Sequence, residues 1–423
     1  MKLPTRIAGT FLVRASAAAG SLALAALMVR AYSLGRFGEF SFLYTSVRLV
    51  GTFCLFSLDT LLLRMMLRAQ ERGNRVRSGP VEATAGLAQA LALAGFGAIV
   101  ATSFLFRSIP ALADLSVSLL LLSPVALLQP VASMQASLLR AARREAWSQA
   151  VLFTIPALLP VAILAIAWSM DALPQHLPEL AVLAAHLCAV SIGWALTGLA
   201  PLSNLAAGMR RFLGGRLAAL RYSAALHAAN IMNFATDWYG ALLVTLFASF
   251  EATGVLRIFQ QFAAAFGLLA VSLEVPFSAE IARHHIARRW DDVLRLLVRS
   301  QWLLGLLGLA LIGAIALFSD LIFGFFALPA DRYRGTLLLL LVFYEIVLMT
   351  GAAASALALM NCTRRLVRAS GIALALAIIL QSVLVPGLGL TGAVLGMGLA
   401  VSAKAIVNYA SVRAEIRTRK SAK

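Results

Sequence analysis

Arg48 stands in the stretch GEFSFLYTSVRLVGTFCLFSLDTLLLR, residues 38–64, whose other members are mostly apolar. A guanidinium offers a planar fork of donors that matches phosphate or carboxylate oxygens, and it keeps its charge when partly desolvated. Inside hydrocarbon a charged side chain costs on the order of 3 kcal/mol, so it requires an acid, a wet cavity or an anionic ligand. As a helix, the ten residues from Gly38 to Arg48 would run about 15 Å. That is near the midplane of a membrane and too deep for easy snorkelling. On one continuous helix Tyr44, Arg48, Thr52 and Asp59 share a face. Two readings stay open, an ion pair with an acid on another helix or a cavity-lining cation for an anionic ligand. Arg14, one to two turns inside the first apolar run, either snorkels or joins the same lining.

A second polar constellation is Tyr222, His227, Asn230, Asn233 and Asp237, within about a third of a helix circumference. Asp237 is midway between Arg221 and Glu251. One buried Asn is commonly packing glue, whereas several polar groups ending in an acid suit a water-accessible lining. On this reading Asn230 and Asn233 contact ligand, and Asp237 with His227 exchanges a coupling ion. Glu345 is deep enough to need a partner that the sequence does not name. Arg257, Glu274 and Lys404 are near enough to span ends to snorkel. Cys54, Cys188 and Cys362 have neither paired nor metal-ligand spacing, so neither a disulfide framework, a metal site nor a cofactor is expected.

The elements that must position these groups follow from composition. Of 423 residues, 61% are hydrophobic and 13% charged, and apolar runs long enough to cross a bilayer recur throughout. The expected class is all-α, a polytopic membrane protein with about twelve spans. They fall at about 8–30, 38–63, 83–106, 115–138, 147–169, 179–202, 222–248, 254–276, 293–317, 336–360, 367–386 and 390–412. Pro124, Pro130, Pro156 and Pro160 should kink the fourth and fifth. The positive start of the chain is interrupted by Arg14, and we read it as a retained first helix rather than a cleaved signal.

The net charge of +18 does not point to nucleic acid, because the basic residues cluster in short turns between spans. Arg64, Arg68, Arg72, Arg75, Arg77, Arg140, Arg143, Arg144, Arg210, Arg211, Arg216, Arg221, Arg283, Arg288, Arg289, Arg364 and Arg365 fall on alternate turns. The opposite turns hold Arg36, Arg107, Arg332 and Arg334, with Arg30 at an edge. That asymmetry predicts both termini in the cytoplasm, with some attraction to anionic membrane lipid. Gly38 and Gly51 are spaced like Gly254 and Gly267, each pair followed by an acid, Asp59 or Glu274, and a basic exit. The chain therefore reads as two six-helix lobes, 1–205 and 206–423, repeated in the same sense across the membrane.

With YSLGRFGEF (Tyr32–Phe40) after the first span, and Asp237 ahead of TGVLRIFQQF (Thr253–Phe262) and Pro276, the chain resembles a known family. It is the polysaccharide-transporter, or O-antigen flippase, branch of the multidrug/oligosaccharidyl-lipid/polysaccharide exporter superfamily. The eighth span lacks the aromatic often found after its glycine there, and twelve spans rather than fourteen depart from the lipid II flippase branch. The resemblance implies two six-helix lobes around a central, often cationic cavity that opens alternately to each side. It also implies an undecaprenyl-pyrophosphate-linked oligosaccharide as cargo at the bacterial inner membrane, for lipopolysaccharide or other polysaccharide biosynthesis. A proton or sodium gradient would drive transport, and a polysaccharide polymerase or similar assembly machinery would be a partner.

The nearest competing reading is a drug or metabolite antiporter of the same superfamily, for which acids and aromatics rather than arginines should line the cavity. A membrane glycosyltransferase or polymerase would need a sizeable outer loop bearing catalytic acids, and the longest outer turn here has about seventeen residues. A non-transporting scaffold leaves the midplane charges without a role.

Overall fold

The structure, a computed structural model, describes residues 3–71, 79–200, 205–206, 210, 218–287, 289–360 and 362–421. Among them every long element is a helix and there is no strand. The expected inner-turn arginines Arg72, Arg75, Arg77, Arg211, Arg216 and Arg288 lie outside the described residues. Lipid offers no partner to a backbone N–H or C=O, so an apolar run must close its own hydrogen-bond ladder. The helices are α1 (Leu3–Ala31), α2 (Leu34–Leu55), α3 (Leu58–Glu71), α4 (Gly79–Arg107), α5 (Ala113–Leu122), α6 (Val125–Ala141), α7 (Glu145–Gln149), α8 (Ile155–Ser169) and α9 (Leu177–Thr197). They continue with α10 (Ala218–Phe247), α11 (Phe250–Ile286), α12 (Trp290–Leu317), α13 (Ser319–Phe325), α14 (Ala330–Leu359) and α15 (Thr363–Ser421).

Among the described residues eight helical stretches are long and apolar enough to cross a membrane, or nine if the bent pair α2–α3 is one span. The chain is thus a polytopic, all-helical membrane protein. Each of the twelve expected segments falls on a helix. The last two share α15, whose path breaks at Gly389 (φ 52°, ψ −125°), three residues after Pro386. A positive φ is open to glycine without the Cβ penalty, and proline cannot donate to the ladder, so the pair sets the break.

Two expected spans depart from a straight helix. The second bends by 43° between α2 and α3, because Phe56 and Ser57 take positive φ values of 49° and 52°. Nothing in FCLFSLD marks that break, since neither residue is Gly or Pro. The fourth is divided at Ser123–Pro124, where Ser123 Oγ caps Leu120 O at 2.7 Å. In the fifth, Ala150–Thr154 forms a π-helical turn ahead of Pro156. Pro156 has no N–H for the carbonyl four residues back, and a wider turn accommodates that loss.

The chain divides into two compact units, Met1–Ala31 with Glu39–His227, and Tyr32–Gly38 with Ala228–Lys423. In the first, α3, α4 and α9 pack on α6, and α1 on α8. Its apolar core includes Leu58, Leu62, Val131, Met134 and Val151. In the second, α11, α12 and α15 pack on α14, around Ile281, Val293, Leu297, Leu357 and Val412. Glu415 on α15 there takes Arg365 and Arg419, each at 2.7 Å, while Lys420 reaches Asp291 of α12 at 2.7 Å.

The short segment Tyr32–Gly38 belongs to the second unit through its glycines. A Cβ on Gly38 would overlap the carbonyl of Phe250 and stand 2.9 Å from Gly254 N; one on Gly254 would meet Leu34 O at 2.8 Å. The two glycines matched in the sequence repeat therefore pack backbone to backbone, which small residues alone permit.

Candidate functional site

The first unit holds Arg48 one helical turn from Tyr44 on α2. The Arg48 guanidinium lies over the Tyr44 ring, 5.6 Å from its centroid. Phe40, a turn earlier, stacks on the same ring at 5.7 Å, with planes 11° apart. From α9, His186 presents its edge to Tyr44 at 6.0 Å and 70°. Among the described residues Arg48 makes no hydrogen bond and no ion pair, and its side chain is half-buried. The ion pair that the sequence left open for Arg48 is therefore not formed.

Asp59 does not join the Arg48 face, because the bend at Phe56–Ser57 turns α3 away. Its carboxylate faces Arg140 of α6 at 4.0 Å, and Arg140 also donates to Ser137 Oγ at 2.8 Å. Arg14 on α1 is held by Gln149, whose Oε1 accepts from Nε at 2.8 Å, and it lies 5.9 Å from the Phe153 ring. Thr154 Oγ1 donates to Val13 O at 2.8 Å. The π-helical turn thus grips α1 at Arg14, which is a packing role rather than contact with the Arg48 cluster.

In the second unit Asp237 on α10 sits in the electrostatic field of Arg257 on α11 and Lys404 on α15, with Tyr344 of α14 beside it. Lys404 Nζ donates to Asn233 Oδ1 at 2.9 Å, a turn from Asp237. Arg257 donates to Gln260 Oε1 at 2.7 Å. Arg257 and Lys404, expected to snorkel, instead turn towards an interior acid, since a buried carboxylate draws available cations. Asn233 and Asp237 are brought together with them. Asn230 is exposed on the same helix.

His227 is elsewhere. Its ring stacks on Phe56 at 4.3 Å and meets Phe53 at 5.6 Å, and it is 6% exposed. That aromatic packing keeps it apart from the neighbours of Asp237. Glu345 on α14 is 6% exposed, and neither carboxyl oxygen has a hydrogen-bond partner among the described residues. It fills a notch left by Gly308 of α12, where a Cβ would overlap Oε2.

A cavity of about 530 Å³ opens in the first unit among the ends of α3, α4, α6 and α9, lined by Leu62, Met66, Glu82, Leu138 and Arg144 among others. None of the candidate residues lines it. No group of three or more His, Cys, Asp or Glu side chains suited to a metal occurs among the described residues.

Sequence reasoning missed His186, because a single histidine in an apolar helix carries no spacing signal. It passed over Lys404 and Arg257 because each stood near a span end. The one available sign was that Asn233 and Asp237 are four residues apart and so share a face with room for a cation.

No protein-family model matches the chain, and no curated protein matches it. Solved structures do. One is described as the outward-facing conformation of a multidrug resistance MATE family transporter of the MOP superfamily. It matches with a TM-score of 0.68 at 14% identity, over 99% of this chain and 96% of that one. Its inward-facing counterpart gives 0.66 at 14%, over 100% and 96%. A MOP superfamily transporter from Pyrococcus furiosus, described as having a binding pocket of reverse polarity that suggests a different function, gives 0.67 at 15%, over 98% and 96%. At these identities the likeness is one of fold, and it extends over essentially the whole chain.

Proposed function

We propose that the chain is a membrane transporter working by alternating access, and that its cargo is an anionic lipid-linked oligosaccharide or polysaccharide precursor. The fold likeness supports the transporter part of this reading. The observation that carries the anionic cargo is Arg48, a half-buried guanidinium within a membrane-spanning pair of helices that has no acid and no hydrogen bond among the described residues. Such a charge is tolerated where it meets water or a ligand of opposite sign. On this reading the protein resides in the bacterial inner membrane with both termini cytoplasmic. It hands an undecaprenyl-pyrophosphate-linked glycan to assembly machinery such as a polymerase. Asp237, framed by Lys404, Arg257 and Asn233, is the group that couples transport to an ion gradient.

A drug or metabolite antiporter is the second reading, favoured by the multidrug resistance transporters among the solved structures of similar fold. Cargo charge separates the two. Deleting the gene should leave lipid-linked oligosaccharide on the cytoplasmic leaflet under the first reading. Under the second, cationic drug sensitivity should rise and the glycan should be unaffected.

A further inference from the structure

His186 adds a property to the Arg48 cluster that the charge alone does not give. It is 4% exposed. Its Nδ1 lies 2.9 Å from the carbonyl oxygen of Val182. A carbonyl only accepts, so Nδ1 carries the hydrogen, and the remaining ring atom, Nε2, is an acceptor in the neutral imidazole. Nε2 has no partner among the described residues, nor is it among the fully enclosed atoms that lack one. The Tyr44 hydroxyl also makes no hydrogen bond among them. The Phe40 stack and the His186 edge fix the phenol ring, so its hydroxyl is held in place rather than swinging.

Three polar ends of different character are thus gathered within about two ring widths: a cationic fork, a hydroxyl that both donates and accepts, and an imidazole acceptor. A bare phosphate or a lipid headgroup without hydroxyls satisfies only the first. An apolar cation satisfies none and meets repulsion from Arg48. A ligand that meets all three carries an anionic group beside hydroxyls. We propose that Arg48, Tyr44 and His186 form one binding site for an anionic carbohydrate, with the phosphate or carboxylate on Arg48 and the sugar hydroxyls on Tyr44 and His186 Nε2. This rests on the reading of Arg48 given under Proposed function and narrows it from an anion to a hydroxylated one. Tyr44 and His186 are then the residues that select sugar over other anions.

The purified full-length protein in detergent is titrated calorimetrically with glucose 1-phosphate, glucuronate, inorganic phosphate and glucose. Wild type should bind one or both sugar anions at least fivefold more tightly than inorganic phosphate or glucose. A preference for glucose 1-phosphate assigns the anion to the glycosyl phosphate, and one for glucuronate assigns it to an acidic sugar. Tyr44→Phe and His186→Phe keep ring volume and remove one polar end each. Each should weaken sugar-anion binding about fivefold, the usual effect of one lost hydrogen bond, and leave phosphate binding unchanged. Arg48→Ala should remove all anion binding. Equal affinity of wild type for sugar anions and phosphate overturns the proposal, as does no binding of either. So does a monodisperse Tyr44→Phe that binds as wild type. His186 is buried, so its variant is read only if monodisperse, and Tyr44→Phe decides otherwise. Export in cells with equal binding of all anions would sink this inference alone; sugar selectivity with unaltered glycan in the deletion strain would sink the transport reading alone.

Discussion

Arg48 and Asp237 are alike in being charges within helices that an apolar solvent surrounds, yet they are stabilised in different ways. Asp237 has two cations near it and an asparagine–lysine hydrogen bond one turn away. Arg48 has only an aromatic face, and a cation over a ring recovers about 0.5–2 kcal/mol, less than its insertion cost. The difference predicts opposite behaviour on mutation. Arg48→Ala should leave membrane abundance normal and stop export, whereas Arg48→Lys, which keeps the charge and loses the fork, should retain part of it. Quantifying the protein in membranes alongside surface glycan tests this; abundant Arg48→Ala with normal export would refute a role in cargo binding. Asp237→Asn removes the partner of two buried cations, so Lys404 and Arg257 are left uncompensated. We expect gradient-driven transport to be lost and thermal stability to fall by about 3 kcal/mol, with Asp237→Asn/Lys404→Met regaining stability but not transport. A double variant no more stable than the single one would show that Lys404 is not held by Asp237.

At the scale of helices, the close crossings are made by glycines whose partners come from elsewhere in the chain. Gly38 meets the Phe250 carbonyl and Gly254, while a Cβ on Gly267 would have nothing within 4 Å. Gly38→Ala should therefore destabilise by about 1–3 kcal/mol through forced separation of α2 and α11. Gly267→Ala should be neutral or slightly stabilising, since it only removes glycine's chain entropy. Thermal unfolding in detergent compares them, and equal melting shifts would disprove the crossing. The sequence repeat had paired Gly38 with Gly254 and Gly51 with Gly267 by spacing alone. It could not say that the first pair touch each other and that Gly267 touches nothing.

For the molecule as a whole, the distribution of arginines sets the orientation. A cysteine at Arg143 should resist impermeant thiol reagents in intact cells, whereas cysteines at Gln175 and Asp331, both exposed, should react. Reversed labelling would invert the topology. The background is favourable, because burial, and then the Glu415 carboxylate, push the thiol of Cys362 up. The thiolate is the reactive form, so in permeabilised membranes alkylation of Cys362 should be slow at neutral pH and accelerate as the medium becomes alkaline. Rapid modification at neutral pH would contradict that environment.

Hydropathy by itself determined that this chain is helical and crosses a membrane repeatedly, because in hydrocarbon an apolar run has one way of satisfying its backbone. Each expected span lies on a helix for that reason. It also located Arg48 and Asp237 as charges needing an account, since insertion cost is a property of residue type and depth. What tertiary structure alone decided is which charges have partners. The bend at Phe56–Ser57 took Asp59 to Arg140, packing against Phe53 and Phe56 took His227 from Asp237, and α15 and α11 brought Lys404 and Arg257 towards it. These outcomes depend on contacts between residues tens to hundreds of positions apart, and on a backbone break with no glycine or proline to announce it. Local spacing carries no information about either, so His186 reached the Arg48 cluster unannounced.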